Sequence, residues 1–195
     1  MAGGGVNSLV KFVLFAFFGV SAGYLSALYM ADGARLAGAA HAGAWVIWPD
    51  SGSSAASPYS RLHYLLKEQL PPSHFDRLEF EASRDDAGRS LVSSCLYRLE
   101  GPMPKMRWWA LSAYPANTAD GDAAVKVGEI SSHDVIYEPD GHLRISLASR
   151  AQPGNWLPMP AQGNVVLVLR LFNAGPAARD QLHNAPLRII REACL

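Results

Sequence analysis

The chain has 195 residues, a length that suits one folded domain plus an appendage, with 49% apolar and 17% charged residues and 17 basic side chains against 17 acidic ones. The charges interleave and no basic run exists, which excludes the usual balance of a nucleic-acid binder. Aromatic and β-branched residues are plentiful, which excludes a disordered chain.

Residues 1–11 read as a flexible tail, and the first apolar run follows as "FVLFAFFGVSAGYLSALYMA", Phe12 to Ala31, without a charge. A helix of about 20 residues rises about 30 Å, the thickness of a bilayer's hydrocarbon core. A signal peptide's apolar core is shorter, about 7–15 residues, yet small residues in "MADGA" and "AGAAHA" keep a cleaved signal as the alternative. Lys11 and the amino terminus precede the span, and Asp32 and Arg35 follow it. The positive-inside tendency then places residues 1–11 in the cytoplasm and the body outside, which in a bacterium means a single-pass inner-membrane protein with a periplasmic domain. Gly19, Gly23 and Ala27 share a helical face, and small residues four apart suit helix pairing in lipid. Glycine and alanine are also simply common in membrane helices.

Residues 32–42 read as a linker and residues 43–195 as the periplasmic body. Trp45 to Trp48 fit a short strand ended by Pro49; tryptophans at a membrane interface are the alternative. Ser57 can cap a helix that Pro58 begins and Pro71-Pro72 stops, with Tyr59, Leu62, Leu65, Leu66 and Leu70 near one face. The period then changes to two. Leu78, Phe80 and Ala82 alternate with Glu79 and Glu81, and Leu91, Ser93, Cys95, Tyr97 and Leu99 share a face. "MRWWALSAY" is apolar on both faces, as a central strand would be. "EISSHDVIYEPDGHLRISLAS" reads as a hairpin across Pro139-Asp140-Gly141, and "NVVLVLRLFN" and "PLRIIREACL" add two strands. Eight or nine strands separated by turn signals predict a mainly β fold: an antiparallel sandwich of jelly-roll type with one short helix, behind one transmembrane helix.

Four motifs occur in order: "RWWALSAY" (107–114), "DGHLRISL" (140–147), "GNWLPMP" (154–160) and "VLVLRLFN" (166–173). Together they resemble the bacterial family known as domain of unknown function 1214, over about residues 76–192. The resemblance implies a jelly-roll-like β-sandwich and no established activity. Larger relatives carry a second domain, numbered 1254, so the resemblance implies a separate membrane protein bearing that domain as a partner beside the lipid bilayer. Relatives often have Tyr-Asp after the aromatic strand; here Tyr114-Pro115 stands there, which removes any role of that aspartate.

Catalytic spacing is missing. His41, His63, His74, His133, His142 and His183 form no HxH, HExxH or CxxH pattern, so no metal or cofactor is expected. No GxSxG elbow and no phosphate-binding glycine loop occur. Glu79 and Glu81 share a face that reads as solvated. Two arginines stand out, Arg107 and Arg170; Arg170 lies mid-strand among Val166, Val168 and Phe172, and a buried guanidinium needs a carboxylate or carbonyls. It is either a structural ion pair or an anchor for an anionic ligand. Asn155 fits a tight turn, Trp156 fits either a plug at one end of the sandwich or a stacking platform, and Pro158 and Pro160 stiffen the chain. Cys95 and Cys194 are an even count, which in an oxidising compartment invites a bridge.

Two functions follow. One is a membrane-anchored interaction or accessory module of the cell envelope, with no catalytic activity evident. The other is a small-molecule or carbohydrate binder, or an enzyme, using a cleft near Trp108, Trp109, Trp156 and Arg170.

Overall fold

The computed structural model describes residues 4–32, 39–66, 70–71, 73, 77–103, 106–116, 126–173 and 186–194. His74 and His183 and most of the expected linker lie outside them.

Helix α1 runs from Gly4 to Asp32 and contains an apolar stretch, Asn7–Tyr29, of 23 residues. By length and composition it can cross a membrane or act as a signal sequence, and none of it is buried against the protein. The helix starts well before Phe12, inside the expected tail. Once an apolar segment has nucleated a helix, each added residue contributes a further backbone bond, so the polar lead-in joins it.

The body holds ten described strands: β1 (Ala40–Ala42), β2 (Trp45–Ile47), β3 (Arg77–Ala82), β4 (Cys95–Pro102), β5 (Trp108–Pro115), β6 (Gly128–Ser131), β7 (His142–Ala148), β8 (Trp156–Pro158), β9 (Val165–Phe172) and β10 (Arg188–Cys194). They form a six-stranded sheet, β1-β2-β3-β9-β5-β6, and a four-stranded sheet, β10-β4-β7-β8. Every described pair is antiparallel except β7 with β8. The mainly β, two-sheet architecture is the expected one. β1 claims residues 40–42 from the stretch read as linker, because Gly43, with φ 61°, turns the chain tightly onto β2. Trp45 and Trp48 are buried in the body, not set out toward a membrane surface.

Helix α2 (Pro58–Leu66) begins where proline predicts, and the Ser57 hydroxyl accepts a bond from the Ser60 N–H at 3.1 Å. Its buried face differs from the expected leucine stripe. Ser60 and Tyr64 point inward and His63 stacks on Trp48 at 4.6 Å, while Tyr59 and Leu65 are exposed. A nine-residue helix has only two turns, and the His63 stack on Trp48 joins it to the body.

The core lies between the sheets. Leu78, Phe80 and Ala82 enter from β3, and Leu91, Ser93, Cys95, Tyr97 and Leu99 are all buried, as their alternation predicts. Trp109 and Leu111 from β5, Ile145 and Leu147 from β7, and Leu167 and Leu169 from β9 complete it.

One predicted hairpin forms only at its tip, where Tyr137 bridges Leu143 across the turn. Glu138 to Gly141 do form a tight turn, with the Gly141 N–H donating to the Glu138 carbonyl at 2.9 Å. Yet β6 pairs with β5 and β7 with β4, so the chain between them changes sheets. The Asp134 carboxylate accepts bonds from the Ser131 N–H and hydroxyl, at 3.2 and 2.6 Å, and turns the chain out of β6.

The two sheets meet at two seams. On one side the Trp45 indole donates to the Leu187 carbonyl at 2.6 Å, linking β2 to the residue before β10. On the other, Gly128 of β6 packs on Pro158 of β8, so closely that a Cβ would stand 2.9 Å from the Pro158 carbonyl oxygen. Only glycine fits there.

Candidate functional site

The outward face of the six-stranded sheet carries the densest arrangement of polar and aromatic side chains around the expected site residues. Register places them in rows. One row runs Arg77, Phe172, Trp108; the next runs Glu79, Arg170, Ala110, Ser131; the third runs Glu81, Val168, Ser112, Glu129. Period two puts all of them on the side opposite the core.

Arg170 is the centre. Its Nε donates to Glu79 Oε2 at 2.9 Å and its Nη1 to the Tyr114 hydroxyl at 3.1 Å, and Arg77 approaches the same carboxylate at 3.7 Å. Burial works against the guanidinium charge, but the Glu79 carboxylate and the Tyr114 oxygen outweigh it and hold Arg170 more firmly cationic than usual. Toward the sheet edge, Ser112 has no exposed surface and donates to Glu129 Oε2 at 2.8 Å, while Lys126 reaches the same oxygen at 3.1 Å. Burial would raise the Glu129 carboxyl; the Ser112 hydroxyl, Lys126 and Arg170 together hold it below its ordinary range. On the β3 side, α2 supplies Tyr64, whose hydroxyl is pushed up to about 12, chiefly by burial, with the Glu79 and Glu81 charges adding to the rise.

Cation and carboxylate therefore alternate across this face, and Arg170 stands in an ion pair within the protein. The reading of Glu79 as solvated is corrected, since its side chain is only 9% exposed. Arg107, by contrast, is exposed. Replacing Arg170 by Ala would strand Glu79 and is expected to lower stability by about 1–3 kcal/mol. Glu79→Gln combined with Arg170→Met removes both charges and is expected to stay within about 1 kcal/mol of wild type. Urea unfolding of the single and double variants distinguishes these outcomes; a double-variant loss equal to the sum of the single losses would show that the pair carries no coupling.

Of the four residues expected to share a ligand cleft, Trp108 and Arg170 share the outward face in adjacent rows, while Trp109 and Trp156 lie elsewhere. Trp108 lies on the outward face and packs on Phe172 with ring centres 4.5 Å apart. Trp109, its neighbour in sequence, points into the core and donates to the Tyr137 hydroxyl at 3.3 Å. Trp156 belongs to the other sheet. It is half-buried, does not plug the sandwich, and donates to the Ala148 carbonyl at 3.1 Å. Leu157 and Met159 fill the core beside it. Asn155 acts as expected of a turn amide, accepting from the Ile136 N–H at 2.8 Å and donating to the Ile136 and Arg144 carbonyls at 2.7 and 2.9 Å.

Cys95 and Cys194 are directly opposite across β4 and β10 and are joined by a disulfide. Sequence reading missed the buried carboxylate of Asp85, which accepts from Arg89 and lies 3.2 Å from Arg191 of β10. An open groove of about 530 Å³ lies along the four-stranded sheet, lined by Glu100, Glu138, Asp140, His142, Arg144 and Arg188 among others. Its basic side chains have carboxylate neighbours: His142 with Asp140 at 3.1 Å, Arg144 with Glu138 at 3.9 Å and Arg188 with Asp86 at 3.8 Å. Among the described residues no group of three or more His, Cys, Asp or Glu side chains could hold a metal ion.

Fold and site together define a two-sheet β-sandwich behind an apolar helix, with its buried and half-buried charges paired internally. A family model described as "Protein of unknown function (DUF1214)" matches residues 76–176, just over half of the chain, and the chain belongs to that family. Among solved structures, the VPA0106 protein from Vibrio parahaemolyticus is similar at 17% identity, covering 71% of this chain and 36% of that one, with a TM-score of 0.53. That likeness shows the fold. An uncharacterized protein from Burkholderia cenocepacia is similar at 24% identity, covering 62% of this chain and 30% of that one, with a TM-score of 0.47. The aligned part of the chain thus spans about a third of each structure's length. No curated protein matches.

Proposed function

We propose that the protein is a membrane-anchored interaction or accessory module of the cell envelope, with α1 in the inner membrane and the β-sandwich in the periplasm. The observation that carries this reading is the 23-residue apolar stretch of α1, none of it buried in the protein, which lipid or another membrane helix would cover. Lys11 and the amino terminus at one end of the span, against Arg35 beyond the other, favour the periplasmic side for the body by about one charge, and a disulfide suits an oxidising compartment. The bilayer is the first partner. A second membrane protein, such as one carrying domain 1254, is the other, with Gly19, Gly23 and Ala27 as the packing face; the space beside Gly19 and Gly23 is open. The alternative of a ligand-binding or catalytic cleft has less support, since Trp109 faces the core and Trp156 lies on the other sheet, leaving Trp108 and Arg170 on one face.

The test uses the full chain in a Gram-negative host. The expected result is retention in the membrane after alkaline carbonate, and loss of the body when protease is added to spheroplasts. Release by carbonate, or a body protected in spheroplasts, overturns the proposal.

A further inference from the structure

We infer that the Cys95–Cys194 disulfide is a reducible clasp on the end of β10, one that opens and closes while the sandwich stays folded. Strand β10 is held in two sections. In the first, the Asp86 N–H donates to the Ile189 carbonyl at 3.0 Å and the Ile189 N–H to Asp86 Oδ2 at 3.1 Å. Arg191 adds the Asp85 contact and lies 5.3 Å over the Tyr97 ring. None of these contacts involves a cysteine. A register shift between Arg191 and Ala193 then interrupts the ladder. Beyond it, Ala193 pairs with Leu96 and Cys194 with Cys95, and the disulfide is the covalent hold on this short section.

The bond is also reachable. Both cysteines line an open cleft of about 240 Å³, with Ser93, Ser94, Arg150 and Gln152 around them. Cys194 is exposed and Cys95 is buried. Thiol–disulfide exchange requires a thiolate to reach one sulfur in line with the bond, so access decides which sulfur is attacked. A dithiol reductant attacks Cys194 Sγ and forms a mixed disulfide, and the Cys95 sulfur leaves as a thiolate. The reductant's second thiolate then attacks its own sulfur and releases Cys194 as a thiolate. Two electrons pass to the cystine, the reductant ends as its own disulfide, and the two cysteine thiolates take up protons. Opening the clasp frees Ala193 and Cys194, widens the cleft over Leu96 and leaves the Asp85 and Asp86 anchors in place.

The experiment uses the full chain in mild detergent, without denaturant. It is treated with dithiothreitol and, separately, with a thioredoxin-type dithiol protein; thiols are then alkylated and counted by mass, and amide exchange is followed. The expected result is two alkylated thiols per chain, appearing at least about tenfold faster than global unfolding. The β signal in circular dichroism persists, and faster exchange is confined to the end of β10 and its Leu96 partner. A Cys95→Ala, Cys194→Ala double variant is expected to show the same local exchange pattern with the sheet intact. Thiols that appear only at the rate of global unfolding, or reduction that abolishes the sheet signal, would overturn the inference. So would two free thiols in protein taken from an oxidising compartment.

Discussion

Replacing Asp85 by Ala is expected to lower the unfolding free energy by about 3 kcal/mol, the lower end of the cost of breaking a buried ion pair. Asp85 sits in the turn between β3 and β4 with its side chain 1% exposed. Its Oδ1 accepts the Arg89 N–H at 2.9 Å, and its Oδ2 accepts Arg89 Nε at 2.9 Å and lies 3.2 Å from Arg191 Nε. Deletion of the carboxylate leaves Arg191, itself largely covered, without its counter-charge. Arg89 is half in solvent and loses less, which keeps the effect at the lower end. The same carboxylate gives stability a pH dependence. Burial pushes it toward the neutral form, but the bonds from Arg89 and the charges of Arg89 and Arg191 prevail, and its carboxyl lies below the ordinary range. A depressed carboxyl contributes fully above the unfolded-chain value of about 3.9 and loses that contribution as pH falls toward the folded value. Urea midpoints at pH 7 and below pH 4 are therefore expected to fall more steeply for wild type than for Asp85→Asn. Parallel pH profiles would remove Asp85 from the explanation.

Trp45→Ala is expected to cost about 3–5 kcal/mol, the range for deleting a buried aromatic side chain. The indole is 0% exposed and fills the space between β2 and the start of β10. Trp45→Phe separates packing from bonding. It keeps much of the ring but strands the Leu187 carbonyl, at an expected cost of about 1–3 kcal/mol. Both follow from thermal and urea unfolding of the full chain in mild detergent. A Trp45→Phe variant as stable as wild type would show that packing alone closes this seam.

Much of this fold was legible because alternation reports burial directly. Leu78, Phe80 and Ala82, and Leu91 through Leu99 at every second position, enter the core as their spacing says. β5 was readable as a central strand because Trp109 through Ala113 are all buried, and its neighbours are β9 and β6. Pairing was less readable. The Pro139-Asp140-Gly141 signal marks a local turn correctly, but a turn does not specify which distant strand each arm joins. The Asp134 bonds that divert the chain depend on side-chain geometry, not on period. The candidate site shows the same division. A lone arginine in an apolar strand announces that it needs a partner, and Arg170 has one; the partner, Glu79, is 91 residues away and becomes visible only once β3 and β9 are in register. Trp108 and Trp109 look like one aromatic patch in sequence, yet neighbours on a strand face opposite ways. The contact of Asp85 with Arg191 likewise depends on β10 lying alongside, which no local pattern announces.

The grip of Asn155 on Ile136 has a consequence for the surface. One amide engages both the N–H and the C=O of Ile136, so the backbone there is tied although its side chain is 75% exposed. An aliphatic group held out in water on an immobilised backbone has already given up much of its freedom. Whatever meets it forfeits correspondingly little entropy in docking.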